Sequence, residues 1–120
     1  MPTKFNTVAY CDLLDFRLEE TKRYVPASAV AYKDYRKILD DKTIDAVFIA
    51  TPLSEHFSIA KDALEAGKHV YVEKTMTYDI KQALALRKIV KEHPKQVFQV
   101  GYQYRYSPLY FNIKEMIQSG

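Results

Sequence analysis

From Asp45 to Lys74 the chain reads DAVFIATPLSEHFSIAKDALEAGKHVYVEK, and this run constrains the fold more than any other. Ala46–Ala50 is continuously apolar, as expected of a central parallel strand covered on both faces. Ser54 can cap a helix whose inner face is Phe57, Ala60, Ala63 and Leu64. Gly67 follows where a left-handed C-cap is favoured, and His69–Val72 forms the next strand. A strand, a helix and a second strand in so short a stretch form a parallel crossover unit.

The rest of the chain keeps the alternation. Thr7–Cys11 is a short buried strand. Asp15–Tyr24 is a helix with Leu14, Leu18 and Tyr24 apolar, ended before Pro26. Ser28–Tyr32 is a weaker strand, and Asp34 can cap a short helix carrying Tyr35, Ile38 and Leu39. Asp79 and Gln82 have capping-box spacing. They open a helix with Ala83, Leu84, Arg87 and Val90 on one side, stopped by Pro94. Gln96–Val100 is a further strand, and Ser107-Pro108 starts a last helix bearing Leu109, Ile113, Met116 and Ile117. The fold class is α/β: a Rossmann-like parallel sheet with helices on both faces, wound by right-handed crossovers.

Composition excludes several classes. The chain has 120 residues, enough for one domain with a real core, and a formal net charge of +3. That charge is interspersed and too small to imply nucleic acid. The single Cys11 rules out an internal disulfide and a multi-cysteine metal site. His69 and His93 lack a partner at metal-ligand spacing and read as structural. No apolar stretch approaches the ~20 residues that span a bilayer, and MPTKFNTVAY lacks the apolar core of a secretion signal. The expected location is the cytoplasm.

In an open α/β sheet, ligands bind beyond the carboxyl ends of the strands. Thr51-Pro52 and Glu73-Lys74 both fall there, as two adjacent walls of one crevice. The three glycines, Gly67, Gly101 and Gly120, leave no Gly-rich phosphate loop. The run Tyr102–Pro108 combines aromatics with one arginine, too little charge for a nucleic-acid groove. Its alternation reads as an extended exit from the last strand.

Cys11-Asp12 after a strand, Thr51-Pro52 with His56, Ala66–Val70, Glu73-Lys74, and Gly101 leading to Arg105 and Pro108 occur in the order and spacing of a known family. The chain resembles the Gfo/Idh/MocA NAD(P)-dependent oxidoreductases. The resemblance implies that Asp12 accepts hydrogen bonds from the adenosine ribose and favours NAD over NADP, although the same carboxylate, with Asp15, can simply cap the following helix. It sets Thr51 and Pro52 against the ribose and nicotinamide. His56 then bonds either a backbone group or the cofactor. Glu73 positions the ribose, Lys74 assists proton transfer at the substrate hydroxyl, and Arg105 touches cofactor or substrate. No metal site is implied. One departure stands out. The family commonly has a cis-proline after the lysine, and here the residue is Thr75. A cis bond before a non-proline residue costs about 2.5–4 kcal/mol, so a trans bond, with Lys74 re-aimed, is expected.

Relative to that family, residues 1–106 correspond to a partial dinucleotide-binding domain and 107–120 to the start of a connection to a C-terminal substrate domain. The family's first strand, with its Gly-rich turn, has no counterpart. In the order 3-2-1-4-5-6 that strand lies between the second and fourth. Strand edges exposed there are liable to pair with another chain. Self-association, a complementary fragment, or a shift of Thr7–Cys11 into the gap is therefore expected. The function expected is that of a fragment, inactive alone, of an enzyme moving hydride between a nicotinamide and a sugar or polyol hydroxyl. A non-catalytic nucleotide-binding or interaction module and one half of a split enzyme are the alternatives.

Overall fold

The computed structural model describes residues 5–120. Five strands alternate with helices: β1 (Ala9–Cys11), α1 (Asp15–Thr21), β2 (Val30–Tyr32), α2 (Arg36–Asp40), β3 (Ala46–Ile49), α3 (Leu53–Glu65), β4 (His69–Glu73), α4 (Ile80–Glu92) and β5 (Phe98–Gly101). A 3-10 turn (Gln103–Tyr106) and α5 (Pro108–Ser119) complete the chain. All pairing is parallel, and it is divided: β1 pairs β2 in one sheet, while β3, β4 and β5 form another in that order. The α/β class is as read from the sequence. The Thr7–Cys11 segment has not moved to join β3. Its ladder with β2 runs in register from Ala9–Val30 to Cys11–Tyr32, and the bond from Val30 N–H to the Val8 carbonyl extends it.

The core lies between the three-stranded sheet and helices α3 and α4. Ala60 and Ala63 are fully buried, and with no side chain beyond Cβ they let α3 approach the sheet closely. Ile59, Leu64, Val70, Val72 and Leu86 fill the interface, joined by Leu39 of α2 and Ile49 of β3. Only one face of β3 is covered. Phe48 remains 66% exposed and stacks on Tyr71, ring centroids 4.6 Å apart. The apolar run AVFIA thus has one face on the core and one open, because among the described residues no helix lies over Phe48.

Local signals explain the element ends. Gly67 has φ +81°, and the Lys68 and Gly67 N–H groups donate to the Ala63 and Leu64 carbonyls, the Schellman closure of a helix. Asp79 Oδ1 accepts from the Gln82 N–H at 2.8 Å, and Gln82 Oε1 accepts from the Tyr78 N–H at 3.1 Å. Asp34 Oδ1 accepts from the Arg36 N–H at 3.0 Å, and this bond first of all holds the Asp34 carboxyl below the usual range. Lys68 is buried, with Nζ donating to the Asp41 carbonyl at 2.5 Å and the Ile44 carbonyl at 2.7 Å. The Tyr35 hydroxyl donates to Asp62 Oδ2 at 2.6 Å. Burial, then this bond to a carboxylate, pushes its pKa up to about 12.

Several expectations are corrected. Ser54 lies inside α3 and does not cap it: Pro52 is the N-cap, and Ser54 Oγ donates to Glu55. Helix α1 stops at Thr21, leaving Tyr24 81% exposed. The inward phase of α4 centres on Leu86, fully buried, while Leu84 is 59% exposed and Arg87 faces solvent. The exit from β5 is a 3-10 turn rather than extended, closed by Arg105 N–H on the Tyr102 carbonyl and Ser107 N–H on that of Tyr104. Stacking of Tyr104 on Tyr110 at 5.1 Å holds it against α5, whose apolar side chains stay exposed. The radius of gyration, 16.6 Å, exceeds the about 14 Å of a compact chain of this length. Among the described residues no helix is long and apolar enough to cross a membrane.

The phase of α4 is directly testable. Leu86→Ala is expected to lower stability by about 2–5 kcal/mol and Leu84→Ala by less than about 1 kcal/mol, read as urea midpoints. Equal losses would contradict the packing described.

Candidate functional site

The carboxyl ends of β3, β4 and β5 stand side by side, because Ile49 is in register with Val72 and Glu73 with Gly101. Thr51-Pro52 leaves β3, Glu73-Lys74 ends β4, and the turn carrying Arg105 leaves β5. These parts of the expected site form one continuous rim.

His56 binds the rim together. It lies in the first turn of α3 and is 2% exposed. Its Nδ1 is 2.7 Å from the Thr75 carbonyl and its Nε2 2.9 Å from that of Thr51. Both acceptors are backbone oxygens, so a neutral ring donates to one and a protonated ring to both. Each nitrogen is engaged by the chain itself, which makes His56 a brace between the β3 and β4 ends. Sequence spacing pointed to His56 but gave no sign of Thr75, a partner 19 residues away.

The peptide joining Lys74 to Thr75 is cis, against the trans bond expected before a non-proline residue. The Thr75 carbonyl just beyond it is the one His56 engages. Lys74 is exposed. Glu73 is half-buried, and its Oε2 accepts from the Lys74 N–H at 3.3 Å. Gly101 allows a close approach at this rim. A Cβ there would lie 2.5 Å from the Tyr71 hydroxyl oxygen, so Tyr71 can lie across β5 only because the residue is glycine. Arg105 is exposed, its guanidinium 6.0 Å from the Tyr102 ring centroid.

Asp12 stands apart on the two-stranded sheet. Its Oδ1 accepts from the Leu14 N–H at 2.9 Å, closing the turn into α1, while Oδ2 makes no hydrogen bond among the described residues. The N-cap of α1 is Leu14, with no side-chain cap bond, so Asp12 does not cap the helix: one of its oxygens shapes the turn ahead of it. Nearby, Lys33 Nζ meets Asp15 at 2.5 Å and donates to the Leu13 carbonyl at 2.8 Å, fastening the loop after β1. Burial, then the negative charges of Asp34 and Asp12, push the Cys11 thiol up from its ordinary value. Cys11 is therefore a poor nucleophile at neutral pH. Among the described residues no group of three His, Cys, Asp or Glu side chains could hold a metal.

Residues 3–102 match the sequence profile of an oxidoreductase family with an NAD-binding Rossmann fold, Gfo/Idh/MocA. The chain is 35% identical over 109 residues to the scyllo-inositol 2-dehydrogenase (NAD(+)) of Bacillus subtilis, covering 91% of this chain and 31% of that one. The myo-inositol 2-dehydrogenase structure from Lactobacillus plantarum superposes with a TM-score of 0.86 at 33% identity, covering 94% of this chain and 33% of that chain. The scyllo-inositol dehydrogenase of Lactobacillus casei, solved with bound NAD(H) and scyllo-inositol, gives a TM-score of 0.85 at 27% identity, covering 98% and 34%. The chain thus spans about a third of the length of the relatives it matches. On its profile match, its parallel α/β architecture and the order of its strand-end residues, the chain belongs to the Gfo/Idh/MocA oxidoreductase family.

Proposed function

We propose that this chain supplies the nicotinamide and ribose side of an NAD-dependent oxidoreductase acting on a hydroxyl of a polyol or sugar, in a reducing compartment such as the cytoplasm. The observation that carries the reading is the rim of Thr51, Pro52, Glu73 and Lys74, braced by His56 at the carboxyl ends of adjacent parallel strands. The bound cofactor would supply the hydride acceptor and donor; NADP is the less favoured form. The residues present fit the two riboses better than the pyrophosphate. Asp12 offers a free carboxylate oxygen that would accept from the adenosine ribose hydroxyls and repel a 2′-phosphate. Glu73 offers an acceptor for the other ribose. No glycine lies at the end of β1 or β3, so neither end lets backbone approach a pyrophosphate in the manner of a Gly-rich turn.

Lys74 would hold or release a proton at Nζ as the substrate hydroxyl is oxidised or re-formed. That work needs a dry surrounding that favours the neutral amine, and in this chain Lys74 is exposed. The same observation supports the second reading, a nucleotide-binding or interaction module, or one half of a split enzyme, with no turnover alone. The residues from 107 onward, α5 with its exposed apolar side chains, would lead into the substrate domain, and Arg105 would face cofactor or substrate at that junction.

Calorimetric titration tests the cofactor reading. NAD is expected to bind with a Kd on the order of 1 mM or below, about −4 kcal/mol, and more tightly than NADP. Asp12→Ala should weaken NAD binding by roughly fivefold to tenfold, the worth of one hydrogen-bond acceptor. No heat up to millimolar NAD, from a chain shown to be folded, would contradict it. His56→Ala removes the ring that links the Thr51 and Thr75 carbonyls, leaves at least one of them without its donor, and is expected to cost about 1–3 kcal/mol in denaturant unfolding. If His56 is a brace, NAD affinity falls in that variant without any contact between His56 and the cofactor. An unchanged stability would remove the brace from the account.

A further inference from the structure

The two-stranded sheet shares no ladder with β3, β4 and β5, and α2 ties it to the rest of the molecule. That helix packs against β1, and its Leu39 belongs to the same core cluster as Ile49 of β3 and Ile59 of α3. Tyr35, the N-cap of α2, packs against that cluster. Its hydroxyl donates to Asp62 Oδ2 of α3 at 2.6 Å. Among the described residues this is the one hydrogen bond that joins residues 5–40 to residues 45–120, and no ion pair joins them.

Apolar contact is non-directional, so Leu39 holds the two parts together without fixing their angle. A hydroxyl on a carboxylate is directional, and 2.6 Å lies in the short range of charge-assisted bonds. Burial, then this bond, raises the Tyr35 pKa to about 12, so the hydroxyl remains a donor far above neutral pH. Arg36 lies 4.8 Å from the Tyr35 ring centroid and pairs with Asp34 at 3.3 Å. Lys61 sits at the other oxygen of Asp62, its Nζ 3.9 Å from Oδ1, and leaves Oδ2 to the hydroxyl. Asp62 stands less than two turns along α3 from His56, which braces the rim. The path from Asp12 to Glu73 thus runs through β1, α2, the Tyr35–Asp62 bond and α3.

We propose that Tyr35 and Asp62 are positioning residues for a dinucleotide: their bond sets the angle between the two sheets at which one ligand reaches both Asp12 and Glu73. The ligand in this statement rests on the cofactor reading, whereas the angle is set within the chain itself. A ligand that spans both sheets is weakened when their relation is loose, since binding must then fix it. A ligand that touches one sheet alone is indifferent to that relation. NAD is of the first kind. AMP and nicotinamide mononucleotide, its two halves, are of the second.

Residual dipolar couplings of the backbone amides read the angle, and chemical-shift titration reads the affinities. In the unsubstituted chain the amides of residues 9–40 and 45–101 are expected to fit a single alignment tensor. Tyr35→Phe, which keeps the ring in the core, and Asp62→Ala should each require separate tensors for the two parts. Circular dichroism checks that both variants are folded, and if one unfolds the other carries the test. NAD should bind them roughly threefold to tenfold more weakly, the worth of one lost hydrogen bond, with AMP and nicotinamide mononucleotide unchanged. Asp62→Asn keeps an acceptor oxygen and should restore the single tensor and most of the affinity. The double variant should be no worse than either single one. A single tensor in Tyr35→Phe, additive losses in the double variant, or equal weakening of the two half-ligands overturns the proposal. Absence of NAD binding by the unsubstituted chain overturns the cofactor reading instead, and the tensors then decide the angle by themselves.

Discussion

The contact of α3 with β4 carries the structure. Ala60 and Ala63 on one side and Val70 and Val72 on the other are almost wholly removed from water, and the small helix residues set how closely the two layers approach. Close approach gives Leu64 and Leu86 a continuous apolar volume to fill, and burial of such side chains contributes about 1.5–3 kcal/mol each. The same contact fixes the start of α3, and with it His56. A shift of α3 along the sheet would separate that ring from the Thr51 and Thr75 carbonyls. Core packing and site geometry are therefore two ends of one helix.

The five-strand assembly distributes this order unevenly. The three-stranded sheet has a packed face, a braced rim and a complete central strand. The two-stranded sheet rests on Leu18, Leu39 and a short ladder, with Asp12 beyond it. A ligand reaching from Asp12 to Glu73 would bridge both parts, so its affinity includes the cost of holding them in fixed relation. Membership of the family describes the architecture of each part. The coupling between them is a property of this chain.

Elements whose signals are local were legible in the sequence. Gly67, Asp79 with Gln82, and Ser107-Pro108 each act through backbone groups within a few residues, and each helix end fell where its chemistry placed it. The strands were legible because apolar β-branched runs have few other uses. Some failures were local, the Ser54 cap and the turn after β5 among them; others depended on distant partners. The phase of α4 was misread because Leu84 and Leu86 are equivalent in composition, and only the position of the sheet decides between them. The open face of Phe48 was hidden for the opposite reason: an apolar run signals burial even where nothing covers one side. At the site, residue types and order were readable from the family resemblance. The brace from His56 to Thr75, the cis bond beside it and the fit of Tyr71 against Gly101 needed three-dimensional proximity.

Lys68 carries a consequence for the order of events in folding. Its side chain reaches back across 24 and 27 residues to the carbonyls of Ile44 and Asp41, which lie in the turn between α2 and β3. The Asp41 oxygen also accepts from the Ile44 N–H within the turn. The Ile44 oxygen gains the Lys68 donor only when α3 has formed and turned through Gly67 to bring Lys68 alongside. Closing such a loop costs entropy before the bonds reward it. The α2–β3 turn is thus a late-setting joint, fully locked only by the completion of the β3–α3–β4 unit.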